Sequence, residues 1–246
     1  MKLVVCMAGL NTRFHDVGID VPKYLLPFRG QLVIQAILNN LNSSKNFEDV
    51  YLIAHERDDY FKVELAQAIE TIGVNTTNIL YIGETNGQAE TAHEALTLLN
   101  LSDNESVVFH NADTILFDRD TDQIENILES GQGVVDVFES SLPIYSYVDM
   151  RNGNILDIVE KKVISNLASS GLYGFPNVGL YKMYFSKLTQ DNMQSTTKEI
   201  YISDVIKLML RNGLSFAAVG STLVNQANST LVIGSPEQYS ALLGEF

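Results

Sequence analysis

Two kinds of segment alternate through the first 115 residues, and that alternation limits the fold more than any other feature. Residues 2–6, 50–54, 78–82 and 106–110 are short apolar runs rich in Val and Ile. Runs of this length and composition read as strands buried on both faces. Between them, residues 31–41, 58–72 and about 89–99 carry apolar side chains at helical spacing. In the second of these, Phe61, Leu65, Ala68 and Ile72 share one side. Strand and helix in turn predict an α/β fold with a doubly wound, mainly parallel or mixed sheet.

The second half changes character. Residues 133–139, 145–150 and 155–159 read as strands with little helix between them, and Arg151-Asn152-Gly153-Asn154 reads as a hairpin turn. Residues 171–175 and 178–182 add extended chain. Helices are expected at 184–188 and 203–211, a strand at 216–219, and a last helix after Pro236. With no repeat, low-complexity tract or linker, residues 1–246 read as one domain.

Composition excludes several classes. At 46% hydrophobic and 19% charged, the chain is globular. A net charge of −14 opposes nucleic acid, so no such partner is expected. No apolar stretch approaches the ~20 residues that span a bilayer, and no signal-like segment opens the sequence, so no membrane partner and a cytoplasmic location are expected. The single cysteine, Cys6, falls in the first strand and reads as an inert core thiol. A homo-oligomer stays open.

Against that acidic background, one loop gathers cations. Met7-Ala8-Gly9-Leu10-Asn11-Thr12-Arg13-Phe14 follows the first strand, and Pro22-Lys23-Tyr24-Leu25-Leu26-Pro27 comes soon after. Ligands of open α/β sheets bind beyond the carboxyl ends of the strands, where this loop falls. Gly9 lets backbone approach a ligand closely. Arg13 and Lys23 add two of only 16 Lys and Arg side chains to a loop lined with amide donors, a combination suited to a polyphosphate. The plainer alternative is that they neutralise nearby acids.

Ala8-Gly9-Leu10-Asn11-Thr12-Arg13 with Pro22-Lys23-x-Leu25-Leu26-Pro27 resembles the signature of the sugar-phosphate nucleotidylyltransferases. Asn111-Ala112-Asp113, Val159-Glu160-Lys161, Gly171-Leu172-Tyr173 and Tyr201-Ile202-Ser203-Asp204 extend the likeness over most of the chain. The resemblance implies a Rossmann-like fold with a nucleotide-binding half, 1–115, and an acceptor-binding half, 116–246. It implies transfer of a nucleotidyl group from an NTP, a pyrimidine one (CTP or UTP), to a phosphorylated small-molecule acceptor. The acceptor expected is a sugar 1-phosphate, with pyrophosphate released and the product used in surface polysaccharide or glycan assembly. A non-sugar phosphorylated acceptor, or nucleotide binding without turnover, are the alternatives.

Roles follow residue by residue from the same resemblance. Arg13 would hold the β- and γ-phosphates, and Lys23 the α-phosphate and the incoming oxygen. The Ala8 to Thr12 loop would line the nucleotide, with Gln88, Thr91 and Asn111 completing its pocket. Gln88 would meet the pyrimidine edge with its amide. Asp113 would hold Mg2+ bridging phosphate oxygens; the alternatives are a helix cap near residues 118–128 or a turn residue. Glu160 would accept from sugar hydroxyls and Lys161 hold the acceptor phosphate, or the two form an edge-strand charge pair. Gly171 would let the chain pass close to the sugar.

The chain departs from the family pattern at four places. Asn11 replaces a second glycine, which Asn's tolerance of left-handed backbone permits. Glu90 stands where many relatives have glycine and Lys162 where many have proline. Most consequentially, Val232 stands where many relatives have a second metal-binding aspartate, leaving an amide from Asn225 or Asn228, or added waters, to complete the ion's shell. Tyr173 and Tyr201 read as packing residues, His93 as a packed or exposed helix residue, and Asp204 as a helix cap or a ligand.

Overall fold

The computed structural model describes residues 1–41, 46–74, 78–191, 199–220 and 229–244. The strands are β1 (Lys2–Cys6), β2 (Pro27–Phe28), β3 (Gln31–Leu32), β4 (Asp49–His55), β5 (Ile79–Ile82), β6 (Val107–Asn111), β7 (Thr114–Leu116), β8 (Gly133–Glu139), β9 (Ser146–Arg151), β10 (Asn154–Glu160), β11 (Leu167–Phe175), β12 (Phe216–Val219) and β13 (Thr230–Val232). The helices are α1 (Thr12–His15), α2 (Val33–Leu41), α3 (Lys62–Glu70), α4 (Gln88–Leu98), α5 (Thr121–Glu129), α6 (Val178–Asp191), α7 (Ile202–Arg211) and α8 (Pro236–Leu243).

Among the described residues, nine strands form one mixed sheet in the order β5-β4-β1-β6-β11-β8-β12-β10-β9. The first four pair in parallel. The chain runs outward from β1 through β4 to β5, then returns across β1 to β6. That reversal makes the gap above β1 and β6 a topological switch point, where open α/β sheets take their ligands. Antiparallel pairs enter with β11, which lies between β6 and β8. The expected hairpin joins β9 to β10, and Asn152 and Gly153 both take positive φ, 51° and 81°. Asn-Gly suits such a turn because both residues tolerate left-handed backbone.

Alternate residues of β1 bury on opposite faces: Leu3 and Val5 pack with α2 and α3 on one side, Val4 with α4 and α7 on the other. On the second face Phe109, Phe175 and Tyr181 pack edge to face or tilted at 4.9–5.7 Å between ring centres, and Phe216 joins edge-on at 5.8 Å from Phe175. This cluster corrects one expectation. Residues 178–182 are the first turns of α6 and not extended chain. Val178, Tyr181 and Phe185 recur at helical spacing and bury on this cluster, and Asn177 Oδ1 accepts from Leu180 N at 2.6 Å as a cap. Asp120, not Asp113, caps α5, accepting from Gln123 N at 2.9 Å.

A small ribbon, β7 paired with β13, carries the chain on both sides of the switch point. One link to the large sheet is Arg119, which is buried. Arg119 Nε and Nη2 donate to the Asp136 carboxylate on β8 at 2.6 and 3.0 Å. Nη1 reaches the carbonyls of Phe117 and Ser229, and Nη2 the Thr230 hydroxyl at 2.6 Å. Removing one partner of a buried ion pair leaves the other charge uncompensated, whereas replacing both with apolar groups costs much less. Arg119→Ala is therefore expected to lose about 3–5 kcal/mol, and the double variant R119M/D136L far less. Urea denaturation of the two proteins measures the difference.

Candidate active site

A cleft of about 700 Å³ opens over the carboxyl ends of β1 and β6. Its floor is the chain leaving β1, which continues into a loop whose fold hinges on Asn11. That residue adopts φ 53° and precedes α1, so it does what a glycine would do at this position. Its side-chain amide donates to Val21 O at 3.3 Å, tying the loop to the segment that carries Lys23. Ala8, Gly9, Leu10 and Arg13 line the cleft. Asn11 and Thr12 do not: they shape the loop from outside it, and Thr12 is exposed at the start of α1. Arg13 Nη1 reaches Gly234 O at 3.5 Å, so the loop meets the turn between β13 and α8.

Lys23 and Asp113 meet across the cleft floor, with Lys23 Nζ 2.7 Å from Asp113 Oδ2. Burial alone would raise the Asp113 carboxyl. The Lys23 ammonium and the Thr114 hydroxyl more than offset this and hold it below the usual carboxylate range. His110, wholly buried at the end of β6, fixes the turn, its Nε2 lying 2.7 Å from Thr114 O. A carbonyl can only accept, so Nε2 carries the proton. Burial pushes the imidazole down from 6.5 to about 4.

One wall of the cleft is the N-terminal turn of α4. Gln88 Nε2 donates to Asn111 Oδ1, which leaves the Gln88 oxygen for a ligand. Thr91 pairs with Thr85, hydroxyl to hydroxyl, at 2.7 Å. Gly87 lies against the chain before α7. A Cβ there would stand 2.7 Å from Ile200 O, while Ala89 N donates to that carbonyl at 3.1 Å and Ile200 N to Asn86 O at 2.9 Å. Gly171 on β11 has φ 89°, and a Cβ would lie 2.4 Å from the Asn111 amide nitrogen.

The opposite wall carries Glu160, whose carboxylate accepts from Ser146 and, at 3.0 Å, from Ser203. Burial raises its pKa, with the serine hydroxyls and Lys161 opposing. Lys161 takes φ 51° and donates to the Tyr201 hydroxyl, over whose ring it also lies at 4.5 Å. Tyr201 donates onward to Glu199. Tyr201 is thus a polar member of the cleft wall and not the packing residue expected. Tyr173 is buried, and His93 packs on Phe185 at 4.4 Å. Asp204 is a cap, accepting from Tyr201 N at 3.1 Å.

Sequence reading missed Gln238, Tyr145 and Arg57. Gln238 and Tyr145 line the cleft, and Arg57 Nη2 donates to Gly9 O at 3.3 Å. Arg57 follows β4, so the strand-end rule that singled out Arg13 would have found it too. Gln238, in the first turn of α8, gives no such signal.

For a divalent cation, Asp113 offers a hard carboxylate facing the cleft. Val232 lines the cleft beside it, and no group of three His, Cys, Asp or Glu among the described residues could hold a metal alone. This donor set fits Mg2+, which keeps water and substrate phosphates as most of its ligands and uses one or two carboxylates. Asn225 and Asn228 lie outside the described residues.

Two results are expected from this geometry. His110 binds a proton more readily unfolded than folded, so stability is full above about pH 6.5 and falls as pH drops toward 4, by up to about 3 kcal/mol. Urea midpoints at successive pH values check this, with a flatter profile in His110→Asn. Gly171→Ala forces a methyl into Asn111 at a backbone angle that favours glycine. It should displace the Gln88–Asn111 pair and weaken nucleotide binding by calorimetry.

A family model described as nucleotidyl transferase matches residues 2–222. The bifunctional protein GlmU of Methanococcus maripaludis is 28% identical over 222 residues, 87% of this chain and 48% of that protein. GlmU of Campylobacter concisus is 27% identical over 234 residues, 92% of this chain and 49% of that one. The chain thus spans about half the length of the curated relatives it matches. Among solved structures, a nucleoside-diphosphate-sugar pyrophosphorylase from Vibrio cholerae superposes with a TM-score of 0.81 at 22% identity, covering 98% of this chain and 99% of that one. A putative glucose-1-phosphate thymidylyltransferase from Bacillus anthracis gives 0.76 at 16% identity, covering 100% of this chain and 94% of that one. These two likenesses establish the shared fold. With the match running over nearly its whole length, the chain belongs to the nucleotidyl transferase family.

Proposed function

We propose that this chain transfers a nucleotidyl group from a pyrimidine NTP to a sugar 1-phosphate and releases pyrophosphate. The observation that carries the reading is the meeting of Lys23 and Asp113, 2.7 Å apart, beside the Arg13 loop at the switch point. A triphosphate laid along that loop would have cations at both ends of the reacting phosphate. Arg13 would neutralise charge on the departing pyrophosphate. Lys23, released from Asp113, would draw the α-phosphate and the attacking oxygen together. Such a reaction needs positioning and charge stabilisation more than covalent help. Asp113 would hold a Mg2+ ion, which when bound supplies Lewis-acid stabilisation of the phosphate oxygens. Glu160 would orient acceptor hydroxyls, and Lys161, freed from Tyr201, would take the acceptor phosphate.

Support for the sugar acceptor comes from the relatives: a solved neighbour of 0.73 TM-score is described as UDP-glucose pyrophosphorylase complexed with UDP-glucose. The Gln88 oxygen stands to accept from a base N–H, as uracil N3–H or the cytosine amino group would supply, and the choice of a pyrimidine rests on the family resemblance. Val232 favours a second reading, in which the chain binds nucleotide without turning it over. A cytoplasmic role in supplying nucleotide sugars for surface polysaccharide follows from the first reading.

A matrix of NTPs against phosphorylated acceptors, scored by pyrophosphate release, tests the proposal. CTP or UTP with a sugar 1-phosphate should give product; tight nucleotide binding by calorimetry with no product for any pair supports the binding reading. Arg13→Ala and Lys23→Ala should each lower turnover by about 10²–10³-fold while circular dichroism shows the fold intact. Near-normal turnover in Lys23→Ala would refute the assignment.

A further inference from the structure

We propose that Gln238 supplies the second protein oxygen of the divalent-cation site, facing Asp113 across Gly234. The proposal rests on the reading that transfer here is cation-assisted. The position paired with Thr114, next to Asp113, is Val232 and not an acid, and residues 221–228 contain no carboxylate. Of the oxygen-bearing side chains that follow Val232, Ser235 caps α8 by accepting from Gln238 N at 3.3 Å, Glu237 is exposed and outside the cleft lining, and Gln238 lines the cleft. Its Oε1 accepts from Gly234 N at 3.0 Å, and its Nε2 donates to the Tyr145 hydroxyl at 3.2 Å. A backbone N–H can only donate, so the oxygen and not the nitrogen must face Gly234. That bond uses one of the oxygen's two lone pairs.

Gly234 leaves the space between the two side chains open. A Cβ at that position would lie 3.2 Å from Gln238 Oε1 and 3.6 Å from Asp113 Oδ2, so both oxygens border the same small gap. One anionic and one neutral oxygen, both hard donors, match an ion that takes most of its shell from phosphates and water. The bond to Tyr145 holds the amide in this orientation before any ligand arrives. The family's acid is thereby replaced from a different element, α8 instead of β13.

The test is Mn2+ affinity, by calorimetry and by the Mn2+ EPR signal, of the full chain saturated with a non-hydrolysable NTP analogue. Gln238→Leu should weaken Mn2+ at least about tenfold. Gln238→Glu, which keeps an acceptor for Gly234 N and adds charge, should tighten it. Val232→Asp introduced into the Gln238→Leu protein should restore binding. Unchanged Mn2+ affinity in both Gln238 variants overturns the proposal, as does a loss seen in N225L/N228L and not in Gln238→Leu. Asp113→Asn separates the layers: if it abolishes Mn2+ binding while Gln238→Leu does not, the cation-assisted reading survives and Gln238 is excluded from it.

Discussion

The reversal of chain direction between β1 and β6 is the constraint on which the cleft depends. Two parallel neighbours whose connections leave in opposite directions open a gap at their carboxyl ends. Every polar group of the cleft floor enters through that gap. The loop after β1 brings Arg13 and Lys23; the turn after β6 brings Asp113. The resulting ion pair is half-screened from water, which is why Lys23 can hold the Asp113 carboxyl low although burial pushes it the other way. Behind it stands a second tier of supporting contacts. His110 fixes the turn, Arg119 ties the β7–β13 ribbon to the sheet, and Arg57 holds the carbonyl of Gly9.

Much of this was legible in the sequence, for identifiable reasons. Strands buried on both faces announce themselves as unbroken apolar runs, and β1, β4 and β6 fall where those runs are. The cation-bearing loop stood out because the chain is otherwise so acidic. Where one element offered two periods, reading failed. Val178-Gly179-Leu180-Tyr181 fits a strand as well as a helix over four residues, and only the buried faces of Tyr181 and Phe185 decide between them. The ribbon strands β7 and β13 are three residues long, too short to carry a pattern of their own.

The site was legible to the extent that its residues follow strand ends. Asp113 and Glu160 do, Gln88 opens the helix after β5, Gly171 lies within β11, and the fold brings all four to one cleft. Gln238 and Tyr145 were invisible because their place depends on how α8 and the loop before β9 fold over the site from a distance in sequence. Tyr201 was misread because a tyrosine's ring and hydroxyl have different preferences. Its ring carries Lys161 above it while its hydroxyl bridges to Glu199.

The stitching of Asn86, Gly87 and Ala89 to Ile200 has a consequence for anyone who would re-engineer this protein. Those backbone bonds lock the segment at the start of α4 to the segment leading into α7, whose tyrosine accepts from Lys161 on the far wall of the cleft. Neither loop can be transplanted from a homologue by itself, because each is the template for the other's path. Any exchange of these walls must move both pieces together, as a matched pair.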